Sequence, residues 1–502
     1  MNSTADSAAL RRLIYGLLIT VAAGAALGRI FGTVRVYEPN LYREKGASES
    51  SQPPWPEQRP TPMPSFGSND RSRWATVRAL VDEGTYVLGR RTTDPATGKY
   101  QDTGIVFEDG WQSVDKVKDP KTDLFYSSKP PLLPTMAAGE YWLLKHGLGW
   151  SITERPAAVM RTIVVTVNWL PWLVYLGLLA ALIERFGTTD WGRLYVLAAA
   201  CFGTLLTPFL ITFNNHTVAT YSVLFALYPT LRIWCDGALK AWRFALAGLF
   251  AGFAACNEFP ATAFAVALGA LLLIRCPRRT LLWFVPAAVV PVAALLATNY
   301  LAIQEFVPVQ MRFNSPWYKY EGSHWSAERG TRSGIDFLDE RKHVYAFHLL
   351  FGHHGMFSLT PINLLAILGA VILTGSLVKR WLQAPPEVER PGVLDRLRAL
   401  PALALLGGAT LVLTVIVVAF YIFQTNNYGG VTNGPRWLLW LTPLWLLTIL
   451  PIADRLAAYR WGRLLGYVLL GASVLSASYY LWNPWRQPWL YQLMEAAGWV
   501  KY

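Results

Sequence analysis

The stretch Thr280–Leu301, TLLWFVPAAVVPVAALLATNYL, runs for 22 residues without a charged side chain. A helix crosses a hydrocarbon layer in about 20 predominantly apolar residues, so this run reads as a transmembrane segment. The rest of the chain shares the bias. Of 502 residues, 53% are apolar, 15% are charged and 22 are tryptophan, and mean hydropathy is +0.28. This composition excludes an ordinary soluble enzyme and defines an integral membrane protein. Indoles favour membrane interfaces, which accounts for the tryptophans.

Outward from that run, apolar spans fall at 13–32, 156–183, 192–211, 217–234, 243–256, 260–275, 280–301, 354–377, 400–421, 436–453 and 461–481. The expected fold is therefore an all-α polytopic membrane protein of about eleven transmembrane helices. Residues 131–149, PLLPTMAAGEYWLLKHGLG, are ambiguous, because Glu140, Lys145 and His146 interrupt a barely sufficient length. Loop charge resolves them. With 131–149 lying in the interface, the loops on the N-terminal side carry Arg11, Arg12, Arg185, Arg193, Arg232, Lys240, Arg243, Arg275, Arg278 and Arg279. The later loops on that side add Lys379, Arg380, Arg390, Arg396, Arg398, Arg455, Arg460 and Arg463, whereas the short loops opposite contribute only Arg436. Cytoplasmic loops carry the Lys/Arg excess, so 131–149 is read as an amphipathic interfacial helix. The net charge of +13 is then topological, spread over short loops rather than gathered on one nucleic-acid-binding patch.

This topology divides the chain into an N-terminal tail and first helix at 1–32, an extracytoplasmic loop with interfacial helices at 33–155, and helices over 156–301. A second extracytoplasmic loop follows at 302–352, then helices over 353–481 and an extracytoplasmic tail at 482–502. The first span follows Arg11-Arg12 and is read as an uncleaved anchor, since it is long for a signal sequence. Residues 47–67, ASESSQPPWPEQRPTPMPSFG, read as an extended Pro- and Ser-rich linker. A helix of about four turns follows, opening at Asn69 or Asp70, with Trp74, Val77, Leu80 and Val81 at helical spacing and a stop at Gly84; it is expected to rest on the membrane. Residues 85–125 read as irregular or short-stranded, with turn signals at Asp94-Pro, Thr97-Gly and Asp109-Gly. No internal repeat and no pair of matching interrupted helices is visible, which argues against a secondary transporter. Cys201, Cys235, Cys256 and Cys276 lie in or at the ends of apolar spans and read as core.

Polar residues bordering the spans collect on the outer face. Lys129, in YSSKPPLLP at Tyr126–Pro134, precedes two prolines that hold its backbone extended. A cation fixed at headgroup depth suits a phosphate, against the alternative of a snorkelling lysine. Asp70 is either a helix cap or a general base or metal ligand. His216, after Asn214 and Asn215, is a capping residue or a phosphate donor, and Glu258 reads at minimum as the partner of a nearby Arg or Lys. In Tyr428–Trp437, YGGVTNGPRW, Gly429 and Gly430 let backbone amides approach a ligand and Arg436 enters the next span, a phosphate seat. His353 and His354 line the same face. The spacing among His343, His348, His353 and His354 does not place the rings on one helical face as an i, i+4 pair does, which argues against a metal set. Trp317, Tyr318, Tyr320 and Trp325 serve either as sugar-stacking rings or as an interfacial belt.

With Asp70 in NDRSRWATVRALVDEG, Lys129 in SSKPPLL and Arg436 in GGVTNGPRW, the chain resembles the GT-C superfamily of integral-membrane glycosyltransferases, in the branch of protein O-mannosyltransferases and aminoarabinose transferases. The layout matches over nearly the whole chain, and the specific motifs cover about 40 residues. The resemblance implies a polyprenyl-phosphate sugar donor reached from the outer leaflet of the cytoplasmic membrane, and an acceptor glycan, lipid or protein on the outer face. It implies Asp70 as catalytic base or divalent-metal carboxylate, Lys129 and Arg436 as donor-phosphate contacts with His216 assisting, and inverting single displacement. Where such enzymes carry an acidic pair, this chain has Asn69 before Asp70; where they place a second acid it has Asn215-His216, which leaves Glu258 as the compensating carboxylate. The rival readings are a transporter or flippase of a lipid-linked or acidic solute, and a non-catalytic membrane assembly protein.

Overall fold

A computed structural model describes residues 3–34, 62–313, 315–326, 334–383 and 392–502. Most of the expected linker at 47–67 lies outside the described residues. Among those described, six helices are long and apolar enough to cross a membrane: Ser7–Gly32, Pro156–Phe186, Pro277–Ile303, Ile362–Leu382, Ala402–Gln424 and Arg436–Leu456. The chain is a mostly helical, multi-pass membrane protein. Other expected spans also form helices, at Asn215–Asp236, Ala241–Asn257, Thr262–Arg275 and Arg460–Tyr479. The span expected at 192–211 is broken: its helix ends at Phe202 and a separate 3-10 turn covers Thr207–Ile211. The span expected from residue 354 begins as a helix only at Ile362, so His353 and His354 lie in the preceding turns.

The chain divides into two compact units. One comprises residues 1–28, 166–294 and 327–502; the other comprises 29–165 and 295–326. In the first, small residues bring helix backbones together, as is usual where lipid supplies no hydrophobic force between helices. A side chain at Gly369 would run into the carbonyl of Thr448, and one at Gly248 or Gly252 would meet the carbonyls of Phe284 or Ala288. Asn168, fully buried in the span Pro156–Phe186, is satisfied by the carbonyls of Leu210 (3.0 Å) and Thr212 (2.7 Å) and by the Thr217 hydroxyl (2.7 Å).

The second unit is built on the loop after the first helix, α1 (Ser3–Gly32). Helix α2 (Ser68–Arg78) runs on through one wide turn to Glu83 and stops at Gly84, whose φ of 68° is left-handed and suits glycine. Its setting differs from expectation. Every residue from Asn69 to Val77 is buried, so α2 is enclosed by its own unit rather than resting on a membrane. What covers it includes a four-stranded antiparallel sheet of order β2-β1-β4-β3, formed by β1 (Gly89–Thr93), β2 (Tyr100–Thr103), β3 (Lys116–Lys118) and β4 (Leu124–Ser127). The Asp94-Pro and Thr97-Gly signals form the β1–β2 turn, with Gly98 at φ 68°. Helix α3 (Leu132–Leu148) ends at left-handed Gly149, and its Tyr141 and Lys145 bond Asp82 at 2.9 and 2.7 Å. Trp317 and Tyr318 are neither a sugar platform nor a belt: they are buried with Val117, Ile303 and Val309 in a small core.

Substituting Gly369 by leucine is expected to lower the thermal unfolding midpoint in detergent, since overpacking a close-packed contact costs about 1–3 kcal/mol. Gly375→Ala, on the same helix with no atom within 4 Å of an added Cβ, is expected to leave it within error.

Candidate functional site

The sheet register positions Lys129. Lys116 pairs with Ser127 and Val117 with Tyr126, and one step beyond the ladder the Ser128 amide donates to the Asp115 carbonyl (3.1 Å). Lys129 therefore emerges beside Asp115, and its ammonium reaches the Asp115 carboxylate at 2.7 Å with both side chains largely enclosed. Ser72, on α2, locks the arrangement: its hydroxyl donates to the Asp115 carbonyl (2.6 Å) and lies 2.6 Å from the Ser127 hydroxyl, which accepts from the Lys129 amide (3.1 Å). Lys129 lines a cleft of about 350 Å³ together with Thr76, Tyr86, Tyr126, Asn299 and Gln310. Asn299 belongs to the last turns of the membrane-crossing helix Pro277–Ile303, which sets the cleft at the end of a span. Asp115 was not foreseen. The signal available was an acid opening the alternating strand Lys116-Val-Lys118, but nothing local ties it to a lysine 14 residues on.

Asp70 is fully buried and acts as a helix cap. Its carboxylate accepts from the amides of Phe66 (2.8 Å), Gly67 (2.7 Å) and Arg71 (3.1 Å), the N3 acid reaching back over the first turn. Burial pushes its pKa up to about 7, with the amide bonds and Arg73 opposing. Arg73 itself donates to the Asn69 carbonyl (2.8 Å) and to the Asn69 side chain.

In the other unit, Asn214 caps helix Asn215–Asp236 by accepting from Thr217 N (3.0 Å). Glu258 ends the neighbouring helix Ala241–Asn257. Its carboxylate is bonded by the His216 Nδ1, and Asn215 donates to the same oxygen (2.7 Å). The Arg436 guanidinium lies 4.8 Å over the Trp485 ring, Trp485 packs edge-on to Phe209 (5.5 Å), and Phe209 meets His216 (6.2 Å). Arg436, His216, Glu258 and Asn215 are thus gathered about one aromatic pair, with Tyr421 within electrostatic reach of both Glu258 and Arg436. The glycines of the Arg436 loop serve differently from expectation. Gly429 and Gly430 adopt φ of 100° and 73°, but their amides donate to the Asn427 side chain (2.7 and 2.5 Å), so they close the loop on itself.

The histidine spacing also misled. Helix Lys342–Leu350 is followed by tight turns that fold the chain back, and the His348 and His353 rings stack at 4.1 Å. A side chain at Gly352 would collide with His348. His353 Nδ1 meets His354 Nδ1 at 2.6 Å and His353 Nε2 meets the Tyr502 hydroxyl at 2.7 Å. Tyr502 and Tyr428 each donate to Glu340, at 2.6 and 2.5 Å. Burial, with the neighbouring imidazoles, lowers the pKa of His353 and pushes His354 down to about 3; both rings stay neutral.

Comparison with protein-family models, curated proteins and solved structures returns no match.

Two outcomes are expected here. A carboxyl raised from about 3.9 to about 7 contributes stability that is full in acid and is lost as pH rises through 7. The unfolding midpoint of the wild-type chain should therefore fall more steeply between pH 4 and 7 than that of Asp70→Asn. A double-mutant cycle on unfolding with Asp115→Asn and Lys129→Met should give a coupling of about 0.5–3 kcal/mol, the range for partners in direct contact.

Proposed function

We propose that the protein is a membrane glycosyltransferase that moves a sugar from a polyprenyl-phosphate donor to an acceptor on the extracytoplasmic face of the cytoplasmic membrane. One observation carries the reading: Lys129, held by the Asp115 carboxylate, lines a cleft walled by the end of a membrane-crossing helix. A cation at that depth meets a phosphate whose lipid tail stays in the bilayer. The reading carries with it eleven spans, the six long apolar helices plus the shorter ones, with the basic loops inside.

In this reaction the acceptor oxygen attacks the anomeric carbon as the bond from that carbon to the phosphate oxygen breaks. The leaving polyprenyl phosphate keeps the bonding electrons, and configuration inverts. Lys129 compensates the charge that develops on the phosphate; Arg436 is a second cation of the same chemistry, with His216 as a hydrogen-bond donor. The acceptor proton passes to Asp70, whose carboxyl titrates near neutrality and suits general-base work. That transfer requires one of its three capping amides to yield an oxygen. Asp115 holds the lysine in place.

The test is transfer of labelled sugar from a panel of polyprenyl-phosphate sugars by the purified chain in lipid. Lys129→Ala is expected to lower transfer by at least about 100-fold, the usual loss for a removed transition-state charge contact. Wild-type transfer should rise with pH through about 7, and Asp70→Asn should lose both rate and profile. Translocation of the lipid without sugar transfer would instead make the protein a flippase.

A further inference from the structure

The histidine and tyrosine cluster around Glu340 has no part in the reaction above. We propose that Glu340, His348 and His353 form a binding site for a divalent transition-metal cation of the zinc class. The side chains offer one ligand atom each, all within 4.8 Å of one another. Two imidazoles and one carboxylate are the donor set that zinc accepts with a fourth position open, and oxygen-seeking magnesium or calcium is a poor match for imidazole.

Three further observations point to a ligand. His348 is 7% exposed, and its Nδ1 is enclosed with no hydrogen-bond partner among the described residues. A buried polar atom left so is costly unless something is bound there. The carboxylate already has an outer layer, because Tyr428 and Tyr502 both donate to it, and such hydroxyls orient a metal-bound carboxylate. Tyr502 also bridges Glu340 to His353 through its hydroxyl, at 2.6 and 2.7 Å. A cation would replace this bridge by direct bonds, leaving the phenol as the neighbour of its fourth position. In a tetrahedral zinc site with Zn–N near 2.0–2.1 Å, ligand atoms lie about 3.3–3.5 Å apart, so the widest of the three separations closes by about 1.3–1.5 Å. The two rings now stack with planes 21° apart, so one imidazole also turns to aim its lone pair at the ion, while the tight turn at Gly352, where any larger residue displaces His348, keeps the rings side by side.

The experiment uses the full chain, purified in detergent, stripped with chelator, exposed to equimolar zinc chloride, desalted, and assayed for metal by mass spectrometry. About one zinc per chain is expected, falling at least about tenfold in His348→Ala and in Glu340→Gln, as loss of a ligand weakens binding. His343→Ala, which alters an exposed histidine five residues away, should retain it. The thermal midpoint gives a second readout: zinc should raise it for the wild type and for His343→Ala but not for Glu340→Gln, a variant of nearly unchanged volume. Wild-type protein that retains no zinc, or zinc retained equally in Glu340→Gln and His348→Ala, would overturn the site.

Discussion

A hydrocarbon layer contains nothing to hydrogen-bond with, so each polar group that enters it has to be satisfied by the chain itself. That constraint shapes most of the first unit. The buried Asn168 takes three partners, and Asn214 spends its side chain on the first turn of the helix it opens. At the helix end carrying Glu258, the carboxylate is met by His216 and Asn215. Polar residues at the span ends are thus preorganised in pairs, and the apolar faces between them are left to pack through glycine contacts.

The second unit obeys the same rule. Helix α2 buries Asp70 and Arg73 in a single turn, which is tolerable only where each charge is met by donors or acceptors. Three amides serve Asp70, and Asn69 serves Arg73. The sheet meets the helix through β4, and Ser72 is the point at which helix, Asp115 and β4 are joined. A membrane-surface helix would have shown a solvated polar face; here the polar residues are the means by which the helix is held.

Much of this was legible in the sequence and some was not, for a consistent reason. Local chemistry was readable: the stop at Gly84, the turn after Asp94 and the apolar runs all depend on residues within a few positions of one another, whereas the helix read as opening at Asn69 or Asp70 begins at Ser68 and the cap of helix Asn215–Asp236 is Asn214 rather than His216. Pairings between distant residues were not. Lys129 finds Asp115 through a strand register, His216 finds Glu258 across 42 residues, and His353 reaches His348 through a reversal that helical spacing does not describe. The loop aromatics failed for a related reason, since Trp317 has the same composition whether it faces a sugar, a lipid or a core. The glycine loop before Arg436 reads identically whether its amides serve a ligand or Asn427.

Two of the candidate phosphate contacts share a feature that a motif alone does not convey. Lys129 and His216 are each held by a carboxylate, Asp115 and Glu258, that the chain supplies from elsewhere. A cation turned away from bulk water loses solvation, and an adjacent carboxylate restores part of it while fixing the direction of the side chain. An incoming phosphate then meets a group already oriented, and the entropy of ordering a long lysine has been met during folding. The carboxylate also sets a threshold: a ligand has to compete with Asp115 for the ammonium. A dianionic or diester phosphate anchored at the same depth by a lipid tail arrives at high local concentration, and a neutral sugar in solution does not. In the proposed reaction, selection for a lipid-linked anion would follow from the paired state of the lysine as much as from the lysine itself.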